Sequence, residues 1–215
     1  MSRHAGADVV FLLDVDNTLL DGDRIVTDLR RHLEREFGIA SAARYWAIFD
    51  ALSSELGYVD YLGALQRYRH EVELAGVDKQ RLLLMSCFLI DYPFAERLYP
   101  RALDVIRHLS RFGTTVILTD GDVVFQPRKL QRSGLWTTVG GRVLIYVHKE
   151  QMLETVQRLY PVRHYVMVDD KLRILTAMKT VWRERLTAIF PRQGHYAFDA
   201  AIVAANPAAD VTIEH

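Results

Sequence analysis

Short, predominantly apolar runs that end at polar residues recur along the chain. The clearest runs cover residues 9–13, 115–119, 142–147, 164–168 and 186–190. Runs of this length, rich in β-branched and aromatic residues, are typical of strands that are buried on both faces. Such strands occur in parallel sheets, which helices cover on both sides. The pattern therefore predicts five strands of a parallel sheet.

A different pattern fills the region between the first two strands, from about residue 27 to residue 90. Apolar residues recur there at helical spacing, as Leu29, Leu33 and Phe37 do, with charged residues on the opposite face. Glycines follow the last periodic residue of three segments, at Gly38, Gly57 and Gly76. This spacing and these end signals favour helices. We expect an insert of about four helices without a strand.

From the second strand onward, strands alternate with helical segments. Helices are predicted over residues 102–112 and 124–131, and in two later segments that end near Leu159 and Val181. Strand–helix–strand units with right-handed crossovers bring the carboxyl ends of the strands to one edge of the sheet. Functional residues of the chain are therefore expected at that edge.

Together these patterns predict an α/β fold with a Rossmann-like, doubly wound parallel sheet and an inserted helical domain. We assign residues 1–21 and 96–215 to the α/β core, and residues 22–95 to the helical domain. The tail, residues 205–215, is weakly patterned and is expected to fray, although residues 209–213 resemble the start of another element.

The overall composition excludes two classes of partner. Lys and Arg number 27 among the 215 residues, and so do Asp and Glu, so the formal net charge is zero. A nucleic-acid binder would carry a basic excess, and we expect no nucleic-acid partner. The apolar stretch at residues 82–90 is too short to cross a bilayer, and we expect no membrane partner. The oligomeric state stays open.

A single cysteine and the N-terminal segment bear on the cellular compartment. Cys87 has no second cysteine with which to form an internal disulfide, and its apolar neighbours predict a buried, unreactive thiol. Asp14 and Asp16 interrupt the N-terminal apolar segment, which does not match a signal peptide. We therefore expect a cytoplasmic protein.

Polar or charged residues stand at the end of four of the five predicted strands or just after it. They are Asp14, Asp16, Thr119, Asp120, His148, Lys149, Asp169 and Asp170. In open α/β sheets, ligands bind at the carboxyl ends of the strands. Acidic side chains gathered there are costly to bury unless a metal ion or a substrate compensates their charge. We therefore expect the functional site at this edge.

The residue types at this edge suit phosphoryl transfer. Carboxylates from the first and fourth strands supply oxygen ligands for Mg²⁺. A lysine neutralises phosphate, and Lys149 is preferred over its competitors Lys129 and Lys171 because it directly follows the third strand. Thr119 supplies a hydroxyl. One carboxylate can attack phosphorus, while a second acid protonates the leaving oxygen and later activates water.

In four places the sequence resembles the haloacid dehalogenase-like superfamily. Residues 11–18, which contain Asp14 and Asp16, look like its first motif, and residues 116–119 look like its second. Lys149 occupies the place of the third motif, and residues 168–170 resemble the fourth. The order and spacing of all four motifs agree, and the resemblance covers nearly the whole chain.

The resemblance implies a role for each residue. Asp14 would be the nucleophile that forms an aspartyl-phosphate, and Asp16 the general acid/base. The substrate-binding residues would be Thr119, Asp120, Gly121 and Lys149. The metal site would consist of Asp14, Asp16 (through its backbone carbonyl), Asp169 and Asp170. The family often has Asn where this chain has Asp120, which leaves the role of Asp120 open.

The resemblance further implies a Mg²⁺-dependent phosphatase that acts on a small phosphorylated metabolite. Asp16 is the mark of the phosphatase and phosphomutase branches, whereas a 2-haloacid dehalogenase needs neither this acid nor a metal cluster. The helical insert occupies the position of the family's cap, which closes over the substrate. A phosphomutase, a dehalogenase and a non-catalytic binding protein of the same fold are the alternatives.

Overall fold

A six-stranded parallel sheet forms the centre of the protein in a computed structural model that describes residues 8–73 and 79–214. The strands are β1 (Val9–Leu13), β2 (Thr114–Asp120), β3 (Val143–Tyr146), β4 (His164–Val168), β5 (Leu186–Pro191) and β6 (Val211–Ile213). Their order across the sheet is β3-β2-β1-β4-β5-β6, and every neighbouring pair is parallel. The predicted α/β, Rossmann-like fold is confirmed.

The register of the central strands fixes which side chains meet at the carboxyl edge. Leu13, the last residue of β1, lies opposite Ile117 of β2 and Val168 of β4. The residues that follow, Asp14 and Asp169, therefore emerge side by side. The backbone continues this pairing, because the Asp14 N–H donates to the Val168 carbonyl over 3.0 Å.

Short helices cover the sheet and connect its strands. They are α5 (Ala102–Leu109), α6 (Phe125–Ser133), α7 (Leu135–Thr138), α8 (Leu153–Leu159), α9 (Leu172–Trp182), α10 (Gly194–Phe198) and α11 (Ala200–Ala204). Three 3₁₀ turns lie at Phe94–Arg97, Lys149–Gln151 and Arg183–Arg185. Helices α1–α4 belong to the insert.

Two of the predicted helices differ from the structure at their ends. The helix expected over residues 102–112 ends at Leu109, and the one expected directly after Lys149 begins only at Leu153. A 3₁₀ turn at Lys149–Gln151 separates the third strand from that helix. Gly134 ends α6 as predicted, in a left-handed conformation that glycine adopts without steric cost.

Four helices lie between β1 and residue 91, ahead of α5, and they form the predicted insert. They are α1 (Gly22–Phe37), α2 (Ile39–Leu56), α3 (Tyr61–Glu73) and α4 (Lys79–Asp91). Gly38 and Gly57 end α1 and α2, whereas the predicted stop at Gly76 lies outside the described residues. The chain enters and leaves this insert side by side, because Leu20 and Leu98 form an antiparallel bridge.

Apolar side chains form one cluster on each face of the sheet. On one face, Leu13 and Ile117 join a cluster that continues into the insert through residues such as Leu29, Tyr45 and Met85. The opposite face packs against α8 and α9, as the second cluster shows: Leu12, Val116, Met167, Val156, Leu175 and Met178. The insert therefore extends the core of the protein, since it shares buried residues with the sheet.

Two predictions about individual segments are wrong. The tail does not fray at residues 211–213, because β6 pairs with β5 and Asp210 accepts hydrogen bonds from the Ala188 N–H and the Lys179 ammonium. Cys87 is exposed. It lies on the solvent side of α4, because Met85 and Leu89 occupy the buried side of that helix.

None of the helices in the described part of the chain is both long and apolar enough to cross a bilayer.

Replacing Leu12 with alanine should destabilise the protein. The Leu12 side chain is fully buried at the centre of the sheet, and its truncation leaves a cavity. We expect the free energy of unfolding to fall by about 2–5 kcal/mol in urea denaturation. The matched variant is Leu83→Ala on α4, where the side chain is 63% exposed and the change should be small. Equal losses in the two variants would contradict this account of the core.

Candidate active site

The loop that follows β1 carries the first two acids of the site. Its backbone turns sharply, because the Val15 carbonyl accepts hydrogen bonds from the N–H groups of residues 18–20. Asn17 takes a positive φ of 58°, a conformation that asparagine tolerates better than most residues. The side chain of Asn17 then bonds to Asp23 at the start of α1. The loop is therefore a fixed structure that holds Asp14 and Asp16.

The segment after β5 packs against this loop. A Cβ atom on Gly194 would lie 2.4 Å from the Asn17 side chain, so only glycine fits there. The next residue, His195, donates its backbone N–H to Asp23 over 2.7 Å, and its ring Nδ1 lies 2.6 Å from the same carboxylate. Residues far apart in sequence therefore share one wall of the site.

Three buried carboxylates meet at the carboxyl edge of the sheet. One oxygen each from Asp14, Asp169 and Asp170 lies within 4.8 Å of the other two. The Thr18 hydroxyl donates to Asp14 over 3.3 Å and accepts from the Asp170 N–H over 3.1 Å. The structure thus brings together three of the four expected metal ligands. The fourth expected ligand is the backbone carbonyl of Asp16, and the carboxylate of that residue is not part of this cluster.

Lys149 lies inside this cluster. Its Nζ forms ion pairs with Asp14 and with Asp169, the latter over 2.7 Å, and donates to the Leu118 carbonyl. Burial by itself would lower the pKa of Lys149, but the negative charges of Asp14, Asp169 and Asp120 outweigh it and raise that pKa. The side chain therefore stays a cation at the position expected for the third motif.

The two competing lysines also reach the site. Lys129 Nζ lies 2.6 and 2.8 Å from the two carboxylate oxygens of Asp16. Lys171 is close enough to Asp14 and Asp170 for their charges to raise its pKa against the opposing effect of burial. Lys149, the preferred lysine, contacts the buried carboxylates of Asp14 and Asp169, and Lys129 and Lys171 offset the charge of carboxylates beside it.

Asp16 lies apart from the buried cluster, and its side chain is 36% exposed. Burial by itself would raise its pKa, but the charge of Lys129 and hydrogen bonds from Lys129 and Gln126 lower it below the ordinary value. The second acid is therefore an anion in this state of the protein.

Thr119 and Asp120 occupy the end of β2, as expected. The Thr119 hydroxyl is buried and accepts a hydrogen bond from Gln126 Nε2 over 3.0 Å. The Asp120 carboxylate accepts from the Lys149 backbone N–H over 2.8 Å, so it anchors the turn that presents Lys149. Gly121 lets the chain pass Gln126, because a Cβ there would lie 2.8 Å from that side chain.

Gln126 is a site residue that sequence reasoning missed. It has the i, i+3 spacing with Lys129 on α6, but a glutamine after a strand carries no signal by itself. Thr18 was part of the first motif without a role of its own, and the structure shows it between Asp14 and Asp170. Side-chain contacts of this kind depend on rotamers, which periodicity does not reveal.

The charges at this edge do not balance. Five carboxylates (Asp14, Asp16, Asp120, Asp169 and Asp170) face three ammonium groups (Lys129, Lys149 and Lys171), which leaves a formal surplus of two negative charges. Among the described residues, neither carboxylate oxygen of Asp170 has a hydrogen-bond partner, although both are buried. Buried carboxylates without partners are costly. The donor set therefore fits one divalent cation with oxygen ligands, as Mg²⁺ prefers.

Comparisons with known proteins identify the family of this chain. The family model of haloacid dehalogenase-like hydrolases matches residues 9–181. A protein from Burkholderia xenovorans LB400, whose crystal structure is described under the same family name, is 65% identical, with a TM-score of 0.91 over 97% of this chain and 95% of its own. The search of curated proteins found no match to this chain.

More distant structures share the fold. A magnesium-bound HAD-family hydrolase from Bacillus subtilis is 18% identical, with a TM-score of 0.60 over 95% of this chain and 93% of its own. The L-2-haloacid dehalogenase of Xanthobacter autotrophicus, with chloropropionic acid covalently bound, is 15% identical, with a TM-score of 0.59 over the same shares. At these identities the likeness concerns the fold alone.

The fold and the site thus define a hydrolase whose acids stand at the carboxyl edge of a parallel sheet. The chain belongs to the haloacid dehalogenase-like hydrolases, as the match over residues 9–181 shows.

Replacing Asp170 with asparagine should stabilise the protein in EDTA. Burial and the neighbouring charges of Asp169 and Asp14 raise the pKa of Asp170 to about 9. Because this pKa lies above that of the unfolded chain, the group lowers stability increasingly as pH rises from about 4 to about 9. At pH 8 we expect a higher melting temperature for Asp170→Asn than for the wild type when divalent cations are removed.

Adding MgCl₂ should raise the melting temperature of the wild type more than that of Asp170→Asn. Wild-type protein should gain melting temperature with the cation, and Asp170→Asn should gain much less. Asp50→Asn, on the exposed face of α2, removes a carboxylate away from the site and should behave as the wild type. A wild-type protein that MgCl₂ leaves unchanged would contradict the assigned metal site.

Proposed function

We propose that this protein is a Mg²⁺-dependent phosphatase that hydrolyses a small phosphorylated metabolite through an aspartyl-phosphate. The observation that carries the proposal is the combination of the buried cluster of Asp14, Asp169 and Asp170 with a second acid, Asp16, two residues after Asp14. Removing a halide requires no such acid, because a halide leaves without a proton. Cleaving a phosphate ester benefits from one.

In the first step, a carboxylate oxygen of Asp14 attacks phosphorus. The bond between phosphorus and the ester oxygen breaks, and that oxygen takes a proton from Asp16. The negative charge of the bound phosphate favours the protonated form of Asp16, which takes up this proton from water as the substrate binds. The Lys149 ammonium, which contacts Asp14, holds the nucleophile in place and offsets the negative charge of the phosphoryl group. The Thr119 hydroxyl, at the end of β2, binds a phosphoryl oxygen.

In the second step, water hydrolyses the aspartyl-phosphate. The water oxygen attacks phosphorus, its proton passes to the Asp16 carboxylate, and the bond between phosphorus and Asp14 breaks. Inorganic phosphate leaves, and Asp14 is restored as a carboxylate. Asp16 thus serves as the acid in one step and as the base in the other.

Asp14, Asp169 and Asp170 are the residues that would hold Mg²⁺, with the backbone carbonyl of Asp16 as a further ligand. When bound, the cation supplies positive charge against the phosphoryl oxygens. The unpartnered oxygens of Asp170 and the negative surplus of the cluster support this assignment.

We propose that the insert, residues 22–95, acts as a cap over this site. A cleft of about 340 Å³ lies between insert and core, lined on the insert by Tyr58 and Gln66 and on the core by Val123 and Val147. Closure of the cap would exclude water from the reacting groups. We further propose a cytoplasmic protein without nucleic-acid or membrane partners.

Hydrolysis of p-nitrophenyl phosphate tests this proposal. We expect turnover with MgCl₂, none with EDTA, and at least a 1000-fold loss of kcat in Asp14→Asn, because asparagine cannot form the covalent intermediate. Asp50→Asn should keep wild-type turnover. Turnover by Asp14→Asn at the wild-type rate would rule out the assigned nucleophile.

The alternative activities have separate signatures. Halide release from a 2-haloacid in EDTA would indicate a dehalogenase, and phosphate transfer between two hydroxyls of a substrate would indicate a phosphomutase. If p-nitrophenyl phosphate is not cleaved, acetyl phosphate can be used to trap the aspartyl-phosphate. Absence of labelling, and of turnover with a broad panel of phosphate esters, would indicate a non-catalytic binding protein.

A further inference from the structure

Two buried polar side chains of α6 donate hydrogen bonds to the Asp16 carboxylate. Gln126 is 3% exposed and Lys129 is 4% exposed, and their spacing places them on the same side of the helix. Lys129 donates to both oxygens of Asp16, over 2.6 and 2.8 Å, and Gln126 donates to one of them over 3.2 Å. Asp16 is therefore held by three hydrogen bonds from one helix.

The burial of Lys129 requires an explanation. Lysine is almost never fully buried unless it is paired, because an ammonium loses its hydration there. The hydrogen bonds of this ammonium within the described residues go to Asp16, and its other described contact is the Phe125 ring, 5.2 Å away on the same helix. The cost of burying Lys129 is thus offset at Asp16.

The two partners of this ion pair differ in exposure. The Lys129 cation is buried, whereas the Asp16 carboxylate is 36% exposed. Gln126 also donates to the Thr119 hydroxyl over 3.0 Å, so the same contacts connect Asp16 to the expected phosphate-binding residue.

The helix that carries these residues also contacts the insert. The ring of Phe125 packs against Tyr61 of α3, with centroids 5.3 Å apart, and against Phe94, with centroids 5.7 Å apart. Lys129 lies over the ring of Phe125. The insert therefore supports the position of α6, and α6 in turn supports the position of Asp16.

We propose that Lys129, assisted by Gln126, is a positioning residue that holds the Asp16 carboxylate for hydrolysis of the aspartyl-phosphate. The inference rests on the proposed phosphatase function. In that step water attacks phosphorus while its proton passes to Asp16, so the orientation of this carboxylate decides the rate. Displacement of a reacting group by about 1 Å can cost about 100-fold in rate.

Stopped-flow hydrolysis of p-nitrophenyl phosphate with MgCl₂ tests the inference in Lys129→Met. The first step needs little help from an acid, because p-nitrophenolate is a good leaving group, whereas the second step depends on Asp16 as base. We expect kcat to fall about 10- to 100-fold with a burst of about one p-nitrophenolate per enzyme. KM should fall in proportion, so kcat/KM should stay near the wild-type value.

Three further variants separate positioning from a general effect on structure. Lys179→Met removes another lysine that is paired with an aspartate, Asp210 at 2.7 Å, and should keep wild-type kinetics. Lys129→Gln keeps a donor beside Asp16 and should show a smaller loss than Lys129→Met. In an Asp16→Asn background, Lys129→Met should cause no further loss, because its effect acts through Asp16.

Melting temperatures and circular dichroism check that the variants fold. The exposed position of Asp16 favours folding of Lys129→Met, because water can solvate the released carboxylate. Unchanged kinetics in a folded Lys129→Met, an equal loss in the Asp16→Asn background, or a fall in kcat/KM without a burst would each overturn the inference. Wild-type protein that forms no aspartyl-phosphate would overturn the proposed function itself.

Discussion

The ion pairs of Lys149 with Asp14 and Asp169 are the interaction on which the site depends. Carboxylates at the ends of β1 and β4 repel each other, and the parallel register of these strands brings them side by side. A buried ammonium between them offsets that repulsion, and the Asp120 carboxylate fixes the turn from which Lys149 extends. Removing one member of such a buried network leaves uncompensated charges. Acidic residues can therefore follow β1 and β4 because Lys149, from the connection between β3 and β4, offsets their charge.

Much of this arrangement could be predicted from sequence because it follows from the strands. Apolar runs located five of the six strands, and the polar residue after each run located Asp14, Thr119, Lys149 and Asp169. Parallel topology then required these positions to share one edge. Residues 209–213 resembled the start of another element but were not assigned as a strand, because the three residues of β6 are exposed and their pairing depends on Asp210, which periodicity does not show.

Predictions that depended on side-chain direction were less successful. A lysine side chain reaches several ångströms from its Cα, so proximity to a strand end did not decide which of Lys129, Lys149 and Lys171 contacts a carboxylate. Cys87 shows the same limit. Its apolar neighbours predicted burial. However, four or more consecutive apolar residues are distributed around all sides of a helix, and only one side packs against the core, so Cys87 is exposed. Gln126 could be found only from coordinates.

The strand order has a consequence for how the protein is made. Of the six strands, β1 is synthesised before the other five and lies in the middle of the sheet, and its partners β2 and β4 follow about 100 and 150 residues later. The whole insert is synthesised before either partner exists. Until then, both edges of an apolar strand lack their neighbours, which is the situation in which nascent chains aggregate. The acidic edge therefore cannot assemble before β4 has been made, about 150 residues after Asp14 and Asp16.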